Sequence, residues 1–175
     1  MKIFISLKSR FFQTCHTAHY NPSYTFPQII KLKALAPWLI VLALALIGQQ
    51  ARACSLNVTE VNFGSYDVFS NVAVHSAGSI EVNCANGIGY TIAIGAGSGN
   101  YSQRSMRSDT HTLSYNLYTA ANRAVVWGEA TNGSATVSGI GTGQSVNHVV
   151  YGSIPPNQNV TPGSYSDTIT VVITY

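Results

Sequence analysis

Histidines, carboxylates and serines are the residues of this chain whose types could carry catalysis. His75, His111 and His148 are scattered, without the HxH or HxxxH spacing that places two imidazoles on one metal ion. Asp109 lies two positions from His111 and serines are plentiful, but no GxSxG motif marks a nucleophile. The carboxylates stand singly, so no pair indicates glycoside hydrolysis. These residues predict a protein that is not an enzyme and that uses no metal and no cofactor.

Two glycine-rich stretches, residues 95–99 (GAGSG) and residues 139–143 (GIGTG), resemble phosphate-binding loops in composition. Neither has the GxGxxG spacing or the GK[ST] ending, and no helix is predicted after either stretch. We therefore interpret both as loops between strands. Eight tyrosines downstream of residue 54 could form a carbohydrate platform, but tyrosine is also a common strand former.

The N-terminal region has the order of features that is typical of a secretory signal peptide. Basic residues come first, an apolar run follows at residues 38–48, and Ala51-Arg52-Ala53 ends it with two small residues. The apolar run is shorter than the roughly 18 residues that span a bilayer. We therefore predict a signal peptide within residues 1–53, cleaved near Ala53 and Cys54.

The predicted mature chain, residues 54–175, then has no membrane span and forms one domain. An uncleaved anchor and lipid attachment at Cys54 are the two alternatives. No fold is assigned to the residues before Lys31, which precede the signal peptide proper. Export places the domain in the periplasm and then at the cell surface or outside the cell.

Two cysteines, Cys54 and Cys84, lie in the predicted mature chain. Two cysteines in an exported domain most simply form one disulfide. The alternative is a catalytic or metal-binding thiol, but no CxxC motif is present and a metal site needs further ligands. The charged residues from Cys54 onward are three arginines and six carboxylates, a net charge of −3 (3 − 6). That balance predicts no nucleic-acid partner, since such binders carry a basic face.

Short alternating stretches recur along residues 54–175 at spacings near ten residues, with turn signals between them and no amphipathic helix. Eight or nine strands with that spacing predict an all-β protein, a sandwich or a barrel. The predicted strands cover residues 54–63, 68–74, 79–84, 90–94, 113–118, 124–128, 135–140, 145–151 and 164–175. Asn86-Gly87 has the composition of a hairpin turn.

The last predicted strand has the clearest alternation in the chain. Its apolar parity is formed by five residues: Tyr165, Ile169, Val171, Ile173 and Tyr175. Side chains of one parity leave the same face of a strand, so these five predict one buried row. Nothing downstream is available to pair with the far edge of this strand. An apolar strand with an open edge is a liability, so either an internal strand or an external one is expected to pair with it.

Residues 54–175 resemble the spore coat protein U domain family, which includes subunits of archaic chaperone–usher pili. The resemblance is carried by an ordered set of motifs rather than by one. These are Cys54, residues 63–67 (FGSYD), 78–84 (GSIEVNC), 113–118 (LSYNLY), 126–128 (VWG), 150–152 (VYG) with Ile154-Pro155, 163–168 (GSYSDT) and 172–175 (VITY).

The resemblance implies an immunoglobulin-like β-sandwich that lacks its final strand. It also implies three partners: a periplasmic pilus chaperone, an outer-membrane usher and other pilus subunits, which complete the fold by strand addition. The acceptor edge would then be the row from Tyr165 to Tyr175. Cleavage near Ala53 leaves no donor segment ahead of Cys54, so a position at a pilus tip or chain end is expected.

The leading functional prediction is thus a non-enzymatic structural subunit of a surface pilus, fimbria or spore-coat-like layer. One alternative is a stand-alone secreted module that binds carbohydrate or a surface through a self-complete sandwich. The other is an exported hydrolase, which the residues favour least because no catalytic set stands out.

Overall fold

The computed structural model describes residues 3–12 and 54–175, and every regular element in these ranges is a β-strand. One strand lies near the N-terminus, and the other nine lie within residues 54–175. The ten strands are β1 Ile3–Phe12, β2 Ser55–Thr59, β3 Val61–Gly64, β4 Val74–Asn83, β5 Gly89–Ile94, β6 Arg104–Ser108, β7 His111–Tyr118, β8 Val137–Ile140, β9 Ser145–Ile154 and β10 Tyr165–Thr174.

The strands form two sheets that share β7. One sheet has the order β2-β4-β9-β7, and all its neighbours are antiparallel. The other contains β3, β1 and β10, with β5 and β6 both pairing with β10 and β8 pairing with β5. β7 also pairs with β6, which connects the second sheet to the first. The all-β sandwich predicted from the strand spacing is therefore confirmed.

The core lies between the sheets and is built from the alternating rows that the sequence shows. Ile80 and Val82 of β4 are fully buried, whereas Asn83 on the other parity is exposed. On β5, Ile92 and Ile94 are fully buried in the same way. Because successive side chains leave opposite faces of a strand, each row of this kind gives one apolar face to the core. The described residues contain no helix that is long and apolar enough to cross a membrane.

The predicted disulfide is confirmed: Cys54 and Cys84 are bonded, with their Cα atoms 4.2 Å apart. β2 and β4 are antiparallel neighbours, with Ser55 opposite Asn83, so the two cysteines meet just beyond the ends of that pairing. Both side chains are buried. The bond closes a loop of 30 residues, which stabilises the fold by roughly 3–4 kcal/mol in the loop-entropy account.

Two predicted strands are absent from the structure, and one observed strand is absent from the prediction. Residues 68–74 were expected to form a strand, but residues 65–73 form a loop in which Phe69 and Val72 are exposed. The loop is organised locally, since the amide of Phe69 donates to Asp67 Oδ1 and the amide of Val72 donates to Ser70 Oγ. Residues 124–128 contribute isolated bridges rather than a strand. β6 was not predicted, because its inward positions are held by Arg104 and Met106.

The predicted hairpin at Asn86-Gly87 is wrong. A turn does lie there, with Gly87 at a φ of +79°, but the strands on its two sides do not pair with each other. β4 pairs with β2 and β9, whereas β5 pairs with β10 and β8. The turn therefore carries the chain from one sheet to the other, as connections in sandwiches do.

Candidate functional site

The predicted acceptor row lies on β10 and in the core of the domain. Tyr165, Ile169, Val171 and Ile173 are all fully buried. Tyr175 lies just past the end of β10 and is half-buried against the same core. The structure thus brings these five residues together along one line. That the line works as an acceptor for an external strand stays a prediction.

The groove that runs beside this row lies between β3 and β10, and β1 occupies it. β1 is parallel to β10 over ten positions, from Ile3 opposite Tyr165 to Phe12 opposite Thr174. On its other side β1 is antiparallel to β3, where Ile5 lies opposite Val61. β1 therefore belongs to the same compact unit as residues 53–175. The expectation of no fold before Lys31 is wrong for these residues.

The buried face of β1 is aliphatic. Ile3, Ile5 and Leu7 are at most 9% exposed and lie within the core cluster of the domain. Each aliphatic side chain taken out of water contributes about 1.5–3 kcal/mol. The outer face carries Phe4, which is 40% exposed, followed by the polar residues Ser6, Lys8 and Arg10. This alternation was visible in the sequence and is the signal that could have found the strand.

The number of strands that pair with β1 changes along its length. Its first residues lie between two strands, because β3 pairs only with Ile3, Phe4 and Ile5. From Ser6 onward, the one described neighbour is β10. Ser9 shares the inward parity of Ile5 and Leu7, yet it is exposed. The apolar seal of the groove is therefore strongest at the Ile3 end.

One carboxylate interrupts the acceptor row. Asp167 lies opposite Ile5 of β1 and is only 6% exposed. Its oxygens accept hydrogen bonds from the Tyr115 hydroxyl at 2.7 Å, the Ser98 hydroxyl at 2.9 Å and the Thr168 amide at 2.8 Å. Burial, and secondarily the Asp167 charge, raises the pKa of Tyr115 well above its usual value. Tyr115 therefore stays a hydrogen-bond donor to the carboxylate at all ordinary pH values.

The glycine-rich loop at residues 95–99 packs against this carboxylate. Gly97 has a φ of +65°, and a Cβ at that position would overlap Asp167. Residues 95–99 form a loop, as predicted, and the backbone of this loop contacts β10. Sequence reasoning did not link it to Asp167, because the two lie about 70 positions apart in the chain.

Arg104 anchors the same region from inside the sandwich. The side chain is fully buried and donates to the Gly95 carbonyl, to Asn116 Oδ1 and to the Trp127 carbonyl, the last at 2.7 Å. Its guanidinium also lies 5.3 Å from the centre of the Tyr101 ring. Burial lowers the pKa of Arg104, yet an arginine remains charged in proteins. Arg104 thus joins β6, β7 and two loops through one side chain.

The histidines lie apart from one another. His148 Nε2 is 2.8 Å from the Tyr90 hydroxyl, and the two rings meet edge to face. His111 begins β7 next to the turn that carries Asp109, and both are exposed. Among residues 3–12 and 54–175, no group of three or more His, Cys, Asp or Glu is arranged to hold a metal ion. Ala51 and Ala53 of the predicted cleavage site lie outside the described residues.

The chain was compared with known families and proteins. A model of the spore coat protein U domain matches residues 41–172. Protein U of Myxococcus xanthus is 34% identical over 134 residues, which cover 66% of this chain and 71% of that protein.

The similar solved structures include the following two. One is the chaperone–tip adhesion subunit pre-assembly complex CsuC–CsuE from archaic chaperone–usher Csu pili of Acinetobacter baumannii. It matches with a TM-score of 0.52 and 25% identity over 70% of this chain. This chain spans 39% of the length of that matched chain. The other is HdaB, a minor tip subunit of the E. coli Hda pilus, with a TM-score of 0.35 and 13% identity over 68% of this chain and 79% of that one.

Proposed function

This chain belongs to the spore coat protein U domain family, and from that premise we propose that it is a structural subunit of a surface pilus of the chaperone–usher type, or of a related coat, whose domain is completed by an added strand. The similar Csu structure is a chaperone–subunit complex from such a pilus. The partners of this chain are then a periplasmic chaperone, an usher and other subunits. The proposal includes export to the periplasm and display at the cell surface.

One observation carries the proposal: the groove between β3 and β10 holds a strand that is remote in sequence from both. Backbone pairing over ten positions fixes the register, and alternate apolar side chains fill the core side. These are the two components of strand-addition recognition, in which main-chain hydrogen bonds give affinity and pockets give specificity. Residues 54–175 supply the groove, and the filling strand comes from outside that range.

The direct test refolds residues 54–175 alone, with a peptide of residues 3–12, and with the same peptide carrying Ile5→Asp. We expect a soluble, folded monomer only with the parent peptide, because the charged side chain cannot enter the buried site without a large desolvation cost. A second arm asks whether the domain copurifies with a periplasmic chaperone when both are expressed. A stable monomer of residues 54–175 without any peptide would contradict the proposal.

A second candidate function, a carbohydrate-binding module, is favoured by a separate feature. A cleft of about 760 Å³ lies beside the loop at residues 95–98, on the outer face of β10. Hydroxyl groups of Ser98, Ser166 and Thr168 line it together with Arg107 and Glu129. Such groups can donate to and accept from sugar hydroxyls. A glycan screen on the full chain tests this candidate, and Thr168→Ala should weaken any binding found.

A further inference from the structure

Two tyrosines lie side by side on the outer face of the sheet that is formed by β2, β4, β9 and β7. Tyr118 of β7 and Tyr151 of β9 are register partners, so their Cβ atoms are roughly 4.5–5.5 Å apart on one face. Their chain neighbours Leu117 and Val150 are fully buried in the core, whereas the two tyrosines are half-buried. Because successive side chains leave opposite faces of a strand, both rings belong to the surface of the sandwich.

The strand register extends this pair into a strip across the sheet. On β4, Ala77 lies opposite Tyr151 and is exposed. On the other side, Val126 forms an isolated bridge with Tyr118 and is half-buried. Paired residues share a face, so four uncharged side chains form one row over three strands and the loop that follows β7. We refer to Ala77, Tyr151, Tyr118 and Val126 as the tyrosine strip.

Two clefts follow one another along β9, and each contains one ring of the pair. A cleft of about 360 Å³ contains Tyr118, and a cleft of about 200 Å³ contains Tyr151. Of the described residues that line them, none is an Asp, Glu, Lys or Arg. Hydroxyl and amide side chains line both clefts: Ser102, Gln103, Ser114 and Ser153 in the first, and Thr119 and Asn147 in the second.

The hydroxyl groups of the two tyrosines differ from those of the buried tyrosines. The Tyr66 hydroxyl donates to the Pro155 carbonyl at 3.1 Å, and the Tyr115 hydroxyl donates to Asp167. Within residues 54–175, the hydroxyls of Tyr118 and Tyr151 form no hydrogen bond with another protein group. Both can therefore donate to a ligand and accept from it.

The uncharged lining selects the class of ligand. In the loop after β7, Arg123 is directed to the backbone, where its Nη1 donates to the Ala121 carbonyl at 2.9 Å. An anionic ligand would therefore lose hydration without gaining a partner of opposite charge. A neutral sugar chain matches the surface, because its C–H faces pack on aromatic rings and its hydroxyl groups pair with serine, threonine and amide side chains.

We propose that the tyrosine strip and its two clefts bind a neutral glycan chain, with sugar rings stacked on Tyr118 and Tyr151. The inference goes beyond the proposed subunit role and does not rest on it, because the strip lies on the sheet that does not contain β10. It also differs from the cleft beside residues 95–98, which lies on the outer face of β10. The ligand contacts a sheet face through side chains and adds no strand to an edge.

The first experiment is isothermal titration calorimetry on the full chain with cellohexaose and chitohexaose. Both are neutral chains of sugars with equatorial substituents, so their rings present C–H groups to both faces. We expect binding of at least one of them, and binding of the anionic hexagalacturonate should be at least about tenfold weaker. Absence of binding by both neutral chains, or a preference for hexagalacturonate, would overturn the proposal.

The second experiment removes the rings. Tyr118→Ala with Tyr151→Ala should weaken binding of the neutral chain by at least about tenfold, because both stacking surfaces are lost. Tyr118→Phe with Tyr151→Phe keeps the rings and should lose less than the alanine pair. Phe69→Ala removes a 90% exposed ring outside the strip and should leave the affinity unchanged. Equal affinity of the parent and the alanine pair would overturn the proposal.

A third variant blocks the strip without removing a half-buried side chain. Ala77→Arg places a long side chain beside Tyr151 and should weaken binding by at least about tenfold. The control Asn83→Arg adds the same charge to the same face near the far end of β4, and should bind as the parent does. If Thr168→Ala weakens binding and Ala77→Arg does not, the ligand lies at the cleft on β10 and the inference is wrong. Strand acceptance is measured separately, by refolding residues 54–175 with the peptide of residues 3–12.

Discussion

In one sheet, β2 is tied to β4 by the Cys54–Cys84 bond, and in the other sheet β1 is held between β3 and β10 by side-chain burial and backbone pairing alone. The first closure joins residues of the same domain and is covalent. The second joins a segment ahead of the predicted leader to β10, and every bond in it can be exchanged. The first strand of the domain, β2, is therefore fixed by a covalent bond, whereas β1, which completes the domain, is held by contacts that another strand could replace.

The largest loss of stability should come from truncating the buried side chains of β1. Ile3→Ala, Ile5→Ala and Leu7→Ala together should cost at least about 6 kcal/mol, since each buried aliphatic-to-alanine change costs about 2–5 kcal/mol. Urea unfolding of the full chain and hydrogen exchange of the β10 amides measure this. The control triple Ser6→Ala, Lys8→Ala and Arg10→Ala lies on the outer face and should change stability by less than about 0.5 kcal/mol per site. Similar losses in both triples would remove the distinction between the faces of β1.

The second-largest effect should come from removing the Cys54–Cys84 disulfide. Cys54→Ala with Cys84→Ala should lower the free energy of unfolding by roughly 3–4 kcal/mol, the loop-entropy value for a loop of 30 residues. Binding of the peptide of residues 3–12 to residues 54–175 should be unchanged under conditions in which the variant is folded, because the bond joins β2 to β4, in the other sheet from β1 and β10. A changed affinity would show that the two closures are coupled.

A smaller effect is expected beneath β1. Asp167→Asn replaces a carboxylate that accepts from Tyr115, Ser98 and Thr168 by an amide that has one acceptor oxygen. We expect a loss of about 1–3 kcal/mol, the cost of leaving buried partners unsatisfied. The control Asp109→Asn changes an exposed aspartate at a φ of 53°, which asparagine adopts readily. Equal unfolding midpoints for the two variants would contradict the role assigned to the buried carboxylate.

The smallest effect is a pH dependence that belongs to neither closure. Burial lowers the pKa of His148, so the folded protein favours the neutral imidazole that contacts Tyr90. The unfolded chain, with a histidine pKa near about 6.5, takes up a proton that the folded chain resists. Stability is therefore fully present above that pH and is lost as the pH falls through the lowered pKa of the folded state.

His148→Gln should reduce the acid-side slope of the urea midpoint between pH 7.5 and pH 5, chosen to bracket the roughly 6.5 of an unperturbed histidine. The variant is best compared in a His75→Gln background, because burial and the Arg123 charge also lower the pKa of His75. An unchanged slope would assign the acid dependence to other groups.

The sequence was informative where one strand face is uniformly apolar. The row on β10 and the paired cysteines follow from alternation and from export, so the buried row and the disulfide could be predicted. β6 could not, because its inward positions are Arg104 and Met106 and the arginine is accommodated by acceptors on other elements. The strand expected around Phe69 failed for the opposite reason: its apolar side chains are exposed on a loop that Asp67 and Ser70 hold.

Local sequence patterns also do not predict which strands pair with each other. Asn86-Gly87 predicts a turn correctly, but which sheet receives the next strand depends on contacts with β8 and β10. β1 shows the same limit at a longer range. Its alternation is present in the sequence, yet no fold is assigned to it there because it lies ahead of the predicted signal peptide. Only the assembled sheets show where this segment fits, because its place lies between β3 and β10.

The pairing of Ile3 with Tyr165 spans 162 positions of the chain (165 − 3). At a synthesis rate of roughly 5–20 residues per second, β1 is made roughly 8–32 s before the strand it pairs with. During that interval the one partner strand already made is β3, which pairs with three residues of β1, so most of β1 is open to any other extended strand. The order of translation therefore makes timing, and the proteins that meet the nascent chain first, part of what determines how this groove is filled.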